Sequence, residues 1–256
     1  KHKLPCPKCG SSDAVSLNNN GSAKCFSCDT FFPDYDDADT VSTNDNNIVP
    51  MKQPETSFLN SYTGVYSAIS DRGITENTAR KFGVKVLKDN NGNVKQHIYP
   101  YYNGSEIVGT KTRYVDNKNF ACNGTFQGTG LFGEQLYRNT GGKYLTIVEG
   151  ECDAMAVNEL FQDKWAVVSI KRGASSAVRD IRESIEFVES FDNVVICFDN
   201  DKAGRQSALE VARILKPGKA KIVNLPNGYK DANEMLVKKK FKEFTTAWWE
   251  AKTYTP

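Results

Sequence analysis

The sequence lacks a long hydrophobic run, a large excess of charge of either sign, and grouped histidines. No stretch of its 256 residues approaches the ~18 apolar residues of a membrane span, and no signal-peptide pattern stands at its start. The two histidines, His2 and His97, are isolated, so we assign no function to them. Because the net charge is only +2, the distribution of charge indicates more about partners than its sum does. We expect no membrane partner.

The composition is that of a folded protein, with 39% hydrophobic and 25% charged residues. A chain of this length can form one large domain or two to three small ones. It begins with Lys1 rather than methionine, as expected if a few residues are missing or the chain was cut. The seven cysteines are odd in number and include two Cys-x-x-Cys pairs, which favours a reducing compartment and metal binding over disulfides. We expect the other three in the core: Cys122, Cys152 and Cys197.

The two cysteine pairs predict a structural zinc site. Fifteen residues separate the pairs, a spacing typical of four thiolates on one metal: Cys6, Cys9, Cys25 and Cys28. Residues 1–32 are too few to bury a core, so zinc would supply the folding energy. The asparagine run at 18–20 favours turns between short strands, which predicts a small β zinc ribbon.

Residues 33–57 are predicted to be a flexible acidic linker, because they are poor in apolar residues and contain Pro50 and Pro54. Residues 58–142 then form a basic subdomain with one helix, begun by Thr75 as its N-cap, and strands at 84–87, 94–101 and 106–114. Lys111 and Arg113 share one face of a strand, and Lys118 follows in a loop. A solvated strand face is the alternative for these basic residues.

Residues 143–225 predict an α/β unit with a parallel, Rossmann-like sheet. Apolar strands at 144–148, 166–170, 194–198 and 221–225 alternate with three helical segments, which implies right-handed crossovers. Residues 226–256 are predicted to be a helical extension in which the two neighbouring tryptophans pack rather than stack on bases.

Five carboxylates follow the ends of two of these strands: Glu149, Glu151, Asp153, Asp199 and Asp201. Strand ends in a parallel sheet meet at one edge, where ligands bind, and so much negative charge there predicts a divalent cation, Mg²⁺ above all. Helix capping is the alternative for Asp153 and Asp201. Lys171 and Arg172 follow another strand and could hold phosphate, although a plain strand-to-helix turn explains the small residues after them equally well.

The carboxylate motifs, Glu149-Gly150-Glu151-x-Asp153 and Asp199-x-Asp201-x-Ala203-Gly204, resemble the TOPRIM domain of topoisomerases and bacterial, DnaG-type primases. The whole chain resembles the primase half of the bifunctional primase-helicases of short-tailed bacteriophages. This resemblance covers the cysteine ribbon, the linker, the TOPRIM core and three further segments: Arg72-Gly73-Ile74, Lys111-x-Arg113 to Lys118-Asn119-Phe120, and Lys230-Asp231-Ala232-Asn233.

The resemblance implies a DNA primase that joins ribonucleoside triphosphates into short RNA primers on single-stranded DNA. Glu149 would be a metal ligand or the general base for the attacking hydroxyl, Asp199, Asp201 and Asp231 would hold Mg²⁺ or Mn²⁺, and Glu151 and Asp153 would support them. Nucleotide phosphates and template would contact the basic residues Lys111, Arg113 and Lys118. A helicase, fused or in trans, a replicative DNA polymerase and the bacterial host cytoplasm are also implied.

Two departures and three rival functions limit what the resemblance implies. Ser22 stands where some relatives have a histidine, so template specificity does not carry over, and no Gly-x-x-x-x-Gly-Lys-Ser/Thr loop for a helicase is present. The chain is therefore an excised primase portion or a stand-alone primase. The rivals are a RecR-like DNA-binding recombination mediator, a TOPRIM nuclease, and a Twinkle-like relic, although such relics commonly lose the zinc cysteines that are intact here.

Overall fold

The N-terminal part of the chain forms a small antiparallel sheet. The computed structural model describes residues 4–7, 15–17, 21–25, 30–32, 35, 62–138 and 141–255, and the chain divides into two compact units, 1–52 and 53–256. In the first unit, β1 (Val15–Leu17), β2 (Ala23–Cys25) and β3 (Phe31–Phe32) pair in that order. Cys6 and Cys25 are buried in its core. Short strands are thus confirmed, whereas Cys9, Cys28 and nearly all of the predicted linker lie outside the described residues.

The second unit contains a short helix, α1 (Glu76–Lys81), followed by an antiparallel sheet. The hydroxyl of Thr75 accepts a hydrogen bond from the backbone N–H of Thr78 at 3.3 Å, which confirms the predicted N-cap. The sheet has the order β4-β5-β6-β7, where β4 is Lys85–Lys88, β5 Val94–Asn103, β6 Glu106–Tyr114 and β7 Phe120–Gly124. The sequence predicted the first three strands and missed β7, whose residues are mostly exposed and show no apolar alternation.

The predicted parallel sheet is confirmed. Strands β8 (Gly142–Val148), β9 (Ala166–Ser169), β10 (Phe191–Ile196) and β11 (Ala220–Ile222) are parallel, in the order β11-β10-β8-β9. A further strand, β12 (Lys252–Thr253), pairs antiparallel with β11 at the edge. Residues 226–256 therefore form more than a helical extension, since they complete the sheet.

Helices cover both faces of this sheet. One face carries α2 (Glu151–Leu160), α6 (Ala232–Val237) and α7 (Phe241–Trp249). The other carries α3 (Ala177–Glu183), α4 (Ile185–Glu189) and α5 (Lys202–Ile214). The sequence predicted α3 and α4 as one helix, but the chain breaks at Ser184, whose hydroxyl donates to Glu134 at 2.7 Å. No helix in the described ranges has the length and apolarity needed to cross a membrane.

One hydrophobic core joins the antiparallel and the parallel sheets. Tyr99, Tyr101 and Phe132 pack in the same buried cluster as Met155 of α2 and Trp248 of α7. The indole N–H of Trp248 donates to the hydroxyl of Thr146 in β8 at 3.0 Å, and Phe132 bridges to Ser169 at the end of β9. The predicted segments 58–142, 143–225 and 226–256 thus fold as one unit, in which the antiparallel sheet packs beside the carboxyl edge of the parallel one.

Candidate active site

Glu149 and Asp199 meet at the carboxyl edge of the parallel sheet. Glu149 directly follows β8, Asp199 lies three residues beyond the end of neighbouring β10, and the backbone N–H of Asp199 donates to Oε1 of Glu149 at 3.0 Å. Helix α5 begins very close to both residues. A Cβ atom at Gly204 would lie 2.2 Å from the Asp199 carbonyl oxygen and 2.6 Å from Oε1 of Glu149, so only glycine fits there.

Burial and mutual repulsion disfavour ionisation of the carboxylates at this edge. Burial raises the pKa of Glu149 to about 7, and the negative charge of Asp199 adds to this increase. Burial also raises the pKa of Asp199, and it raises that of Asp153 well above its usual range, with Asp231 and Asp199 adding to the effect. Lys230 offsets part of the charge, because its Nζ lies 2.8 Å from Oδ2 of Asp199. The edge would therefore be stabilised by a further cation.

Asp201 and Asp231 each begin a helix. Asp201 is the N-cap of α5 and accepts a hydrogen bond from the N–H of Gly204 at 2.8 Å, and Asp231 caps α6 through the N–H of Glu234 at 2.7 Å. Asp201 therefore does cap a helix, as its capping alternative proposed, whereas Asp153 does not cap its own helix. Instead, its Oδ1 accepts from the N–H of Asn233, which ties α2 to the first turn of α6. Each cap uses one oxygen, so a capping role and a metal-binding role are compatible.

Asn200, which the sequence analysis did not single out, joins the two acidic loops. Its backbone N–H donates to the carbonyl of Lys230 at 2.6 Å, and its side-chain amide donates to the carbonyl of Tyr229 at 3.2 Å. These bonds hold Asp231 beside Asp199, so that its charge contributes to the raised pKa of Asp199. An asparagine between two aspartates gives no sign of partners about thirty positions away, so no local pattern could have revealed this contact.

The donor set at this edge suits a hard divalent cation. Carboxylate oxygens are the ligands that Mg²⁺ and Mn²⁺ prefer, and raised carboxyl pKa values mark a place where added positive charge is favourable. Within the described part of the chain, however, no three metal-ligating side chains form a ready-made cation site. Lys230, paired with Asp199 and 61% exposed in its side chain, is positioned to move aside for a metal.

Glu151 makes different contacts from Glu149. It is only 4% exposed. Its Oε1 accepts a hydrogen bond from the Tyr101 hydroxyl at 2.7 Å and forms an ion pair with Nζ of Lys111 at 2.8 Å. Both partners belong to the antiparallel sheet. Although Glu151 is part of the same sequence motif as Glu149, its carboxylate binds the neighbouring sheet.

The predicted basic residues separate into two groups. Lys111 is 15% exposed in its side chain, Arg113 follows on the same strand, and Lys118 is exposed in the next loop. Within the described residues, Nη1 of Arg113 is buried and has no hydrogen-bond partner, so it retains a donor for an anion.

Lys171 has a structural environment instead. Its ammonium is 0% exposed and donates to the carbonyl of Thr129 at 3.0 Å and to Glu183 at 2.6 Å. Arg172 lies within 4.0 Å of Asp180 and 3.9 Å of Glu183. Because this ammonium is fully buried, its third donor is out of reach of a phosphate, so the structure does not favour the predicted ligand role of Lys171. Arg172 is partly occupied by the same acidic residues.

Two family models match this chain. The model described as Toprim-like matches residues 146–236, which extend from the end of β8 into α6 and include the acidic residues of the carboxyl edge. The model described as the N-terminal a+b fold of bacteriophage T7 DNA helicase/primase matches residues 64–124, which contain the antiparallel sheet.

Relatives of known function and structure agree with these matches. A DNA helicase/primase of Enterobacteria phage T3 is 35% identical over 98% of this chain, which spans 44% of that protein's length. The primase fragment of the bacteriophage T7 primase-helicase is 32% identical, with 97% of this chain and 99% of that chain covered and a TM-score of 0.66.

A second T7 structure contains the lagging-strand DNA polymerase interacting with primase domains bound to an RNA/DNA hybrid. A chain in it is 35% identical, with 75% of this chain and 94% of that chain covered and a TM-score of 0.67. The primase of Aquifex aeolicus, with zinc-binding and RNA polymerase domains, is 15% identical over 97% of this chain and 78% of that chain, with a TM-score of 0.58. This last likeness shows a shared fold alone.

Proposed function

Because this chain belongs to the family of the bacteriophage primase-helicases and corresponds to their primase portion, we propose that it is a DNA primase. It would join ribonucleoside triphosphates into short RNA primers on a single-stranded DNA template. The observation that carries this proposal is the charge-crowded carboxylate edge around Glu149 and Asp199, with the basic strand β6 beside it through the contact of Lys111 with Glu151.

Glu149 is suited to accept the proton of the attacking 3′-hydroxyl. A general base works best when its pKa lies near the working pH, and the pKa of Glu149 is raised to about 7 by burial. Alternatively it binds a metal with Asp199, Asp201 and Asp231, all of which supply carboxylate oxygens. The bound Mg²⁺ or Mn²⁺ would neutralise charge at the transferring phosphoryl group. Lys111, Arg113 and Lys118 would hold nucleotide phosphates and template.

The N-terminal unit supplies the proposed zinc site. Cys6 and Cys25 are 2% and 0% exposed and share one small core, as expected for thiols that surround a buried metal rather than face solvent. Zn²⁺ would bind these two with Cys9 and Cys28, the spacing of which completes the four-thiolate pattern. Its role would be to hold the ribbon folded, in position to select a short template sequence.

The partners follow from the family. The T7 primase domains interact with the lagging-strand DNA polymerase, and the T3 relative is a helicase as well as a primase. We extend both to this chain as proposals: a fused or separate helicase, and a replicative polymerase that takes over the primer. A phage protein of this kind would act in the bacterial host cytoplasm.

The test is primer synthesis. The protein is incubated with Mg²⁺, labelled ribonucleoside triphosphates and varied single-stranded DNA, and short RNA products are measured. Glu149→Gln and Asp199→Asn should each lower synthesis about 100-fold or more. The exposed Asp192, on β10 away from the carboxyl edge, provides the control Asp192→Asn, which should retain full activity.

Three outcomes would overturn the proposal. Full activity in both Glu149→Gln and Asp199→Asn would mean that the carboxylate edge is not the active site. Binding of DNA without incorporation of nucleotides on any template would favour a recombination mediator. Cleavage of DNA without template-dependent synthesis would favour a nuclease.

A further inference from the structure

We propose that Tyr101 and Glu151 are positioning residues that hold the ammonium of Lys111 in place for a phosphate of the nucleotide or template, and that Glu151 does not bind the metal. This inference rests on the proposed function for its substrate, and it gives different roles to two glutamates of one short motif. Neither the family motifs nor the sequence pattern assigns any role to Tyr101.

One buried carboxylate connects two strands to a helix. Glu151 is the first residue of α2, and its partners Tyr101 and Lys111 lie on the adjacent strands β5 and β6. Both donors reach the same oxygen, Oε1, at 2.7 and 2.8 Å. Charge-assisted bonds of this length in a buried place are among the stronger side-chain contacts, so they define where the ammonium of Lys111 lies.

Lys111 is held by further contacts as well. Its Nζ donates to the carbonyl of Lys171 at 3.2 Å and lies 4.9 Å from the centre of the Phe120 ring. An ammonium has three N–H donors, and the contacts with Glu151 and with the Lys171 carbonyl use two. One donor remains on a side chain that is still 15% exposed, which suits a single phosphate oxygen. A flexible lysine would otherwise lose rotamer entropy on binding, and here it is already ordered.

Tyr101 supplies the second donor to this carboxylate. It is 1% exposed, and burial raises the pKa of its phenol well above the usual range, so the hydroxyl remains a donor to Glu151. Because Oε1 of Glu151 already accepts from a neutral phenol and an ammonium, the carboxylate is balanced without a metal. This contrasts with Glu149, whose partner is one backbone N–H from Asp199.

The test measures binding of ATP in EDTA, where no divalent metal takes part, together with primer synthesis at varied Mg²⁺. Lys111→Met should weaken ATP binding about tenfold or more. Tyr101→Phe and Glu151→Gln should weaken it about three- to tenfold and raise the KM for nucleotides, with kcat changed less. The Mg²⁺ concentration for half-maximal synthesis should stay within about twofold of wild type. Tyr102→Phe, which removes a hydroxyl from the next residue of the same strand, should change neither quantity.

The double variant Tyr101→Phe/Glu151→Gln should bind ATP no more weakly than Glu151→Gln alone, because the tyrosine acts through the glutamate.

A large shift in the Mg²⁺ requirement of Glu151→Gln with an unchanged KM would make Glu151 a metal ligand and overturn the proposal. Tighter ATP binding by Glu151→Gln would show that the carboxylate competes with phosphate for Lys111, which also overturns it. Unchanged ATP binding in Lys111→Met would do the same. If wild type makes no primers, the proposed function fails, but ATP binding in EDTA still tests the positioning.

Discussion

Two clusters of charged residues beside the parallel sheet differ in whether their charges are alike or opposite. At the carboxyl ends of β8 and β10, Glu149 and Asp199 lie side by side, and burial raises the pKa of both. Beyond the end of β9, the buried ammonium of Lys171 lies against Glu183. Burial would raise the pKa of Glu183 too, but Lys171, together with Arg179 and Arg172, outweighs it and holds that pKa below its ordinary value. The first, around Glu149 and Asp199, has an excess of negative charge, and we call it the crowded cluster. The second, the pair of Lys171 and Glu183, joins opposite charges, and we call it the balanced cluster.

This difference shows that a polar residue at a strand end is not by itself evidence of function. The positions after β8, β9 and β10 are equivalent in the sheet, and sequence reasoning assigned ligand-binding roles to all three. Only the positions after β8 and β10 carry charge that the surrounding protein does not neutralise. A bound metal or substrate can neutralise such charge. The balanced pair at Lys171 instead holds the loop after β9 against α3.

The largest effect on stability should come from breaking the balanced cluster. Lys171→Met removes an ammonium whose side chain is 0% exposed. The Thr129 carbonyl then loses this donor, and Glu183 loses its shortest ion pair and keeps Arg179 at 3.1 Å. We expect the free energy of unfolding, measured in urea, to fall by about 3 kcal/mol. Lys216→Met, at a lysine whose side chain is 73% exposed, should change it by less than about 0.5 kcal/mol.

A loss of under about 1 kcal/mol in Lys171→Met would mean that the pair adds little to stability. Combined with weaker template binding by a folded variant, it would restore the ligand role that the sequence suggested for Lys171.

The elements that sequence reasoning located are those with a strong local pattern. The four parallel strands are short apolar runs, and Thr75 precedes its helix as a good N-cap should, so both were predicted from neighbouring residues alone. Strand β12 was missed because Lys252 and Thr253 are exposed and carry no apolar signal. It pairs at the edge of the sheet through backbone hydrogen bonds, which any residue types can make.

In the candidate site, too, the residues with a local sequence signal were predicted and the contacts between distant residues were not. Glu149 and Asp199 were identified because they follow apolar strands, and parallel strands bring their ends together. The contacts of Glu151 with Tyr101 and of Asn200 with Tyr229 join residues about fifty and thirty positions apart. Such pairs depend on how the two sheets and the acidic loops pack. For the same reason the sequence could not show that Lys171 meets Glu183 in the interior.

Neutralising a charge in the crowded cluster should raise the free energy of unfolding, whereas in the balanced cluster it should lower it. The pKa of Glu149 in the folded protein, about 7, exceeds its ordinary value of 4.5, so folding favours the protonated form between these values. The stability contributed by that proton is fully present below pH 4.5 and is lost as the pH rises through 7. Glu149→Gln stays neutral throughout. In EDTA, it should therefore be more stable than wild type by about 2 kcal/mol at pH 8 and by little at pH 4.5.

Urea unfolding across this pH range measures the difference, and Asp192→Asn, an exposed acid on β10, serves as the control without a pH-dependent gain. A Glu149→Gln variant less stable than wild type at pH 8 would show that Glu149 is balanced like Glu183. The comparison between the two clusters would then fail.

The smallest effect should separate the two roles of Asp201, which caps α5 through the N–H of Gly204. Asparagine caps a helix as well as aspartate does but carries no charge, so Asp201→Asn should change the free energy of unfolding by less than about 0.5 kcal/mol. Asp201→Ala loses the cap and should cost about 1 kcal/mol. If the charge of Asp201 binds metal, both variants should lose primer synthesis, and the Mg²⁺ requirement of Asp201→Asn should rise. Full synthesis by Asp201→Asn would assign Asp201 to the helix alone, and the crowded cluster would then consist of Glu149, Asp199, Asp153 and Asp231.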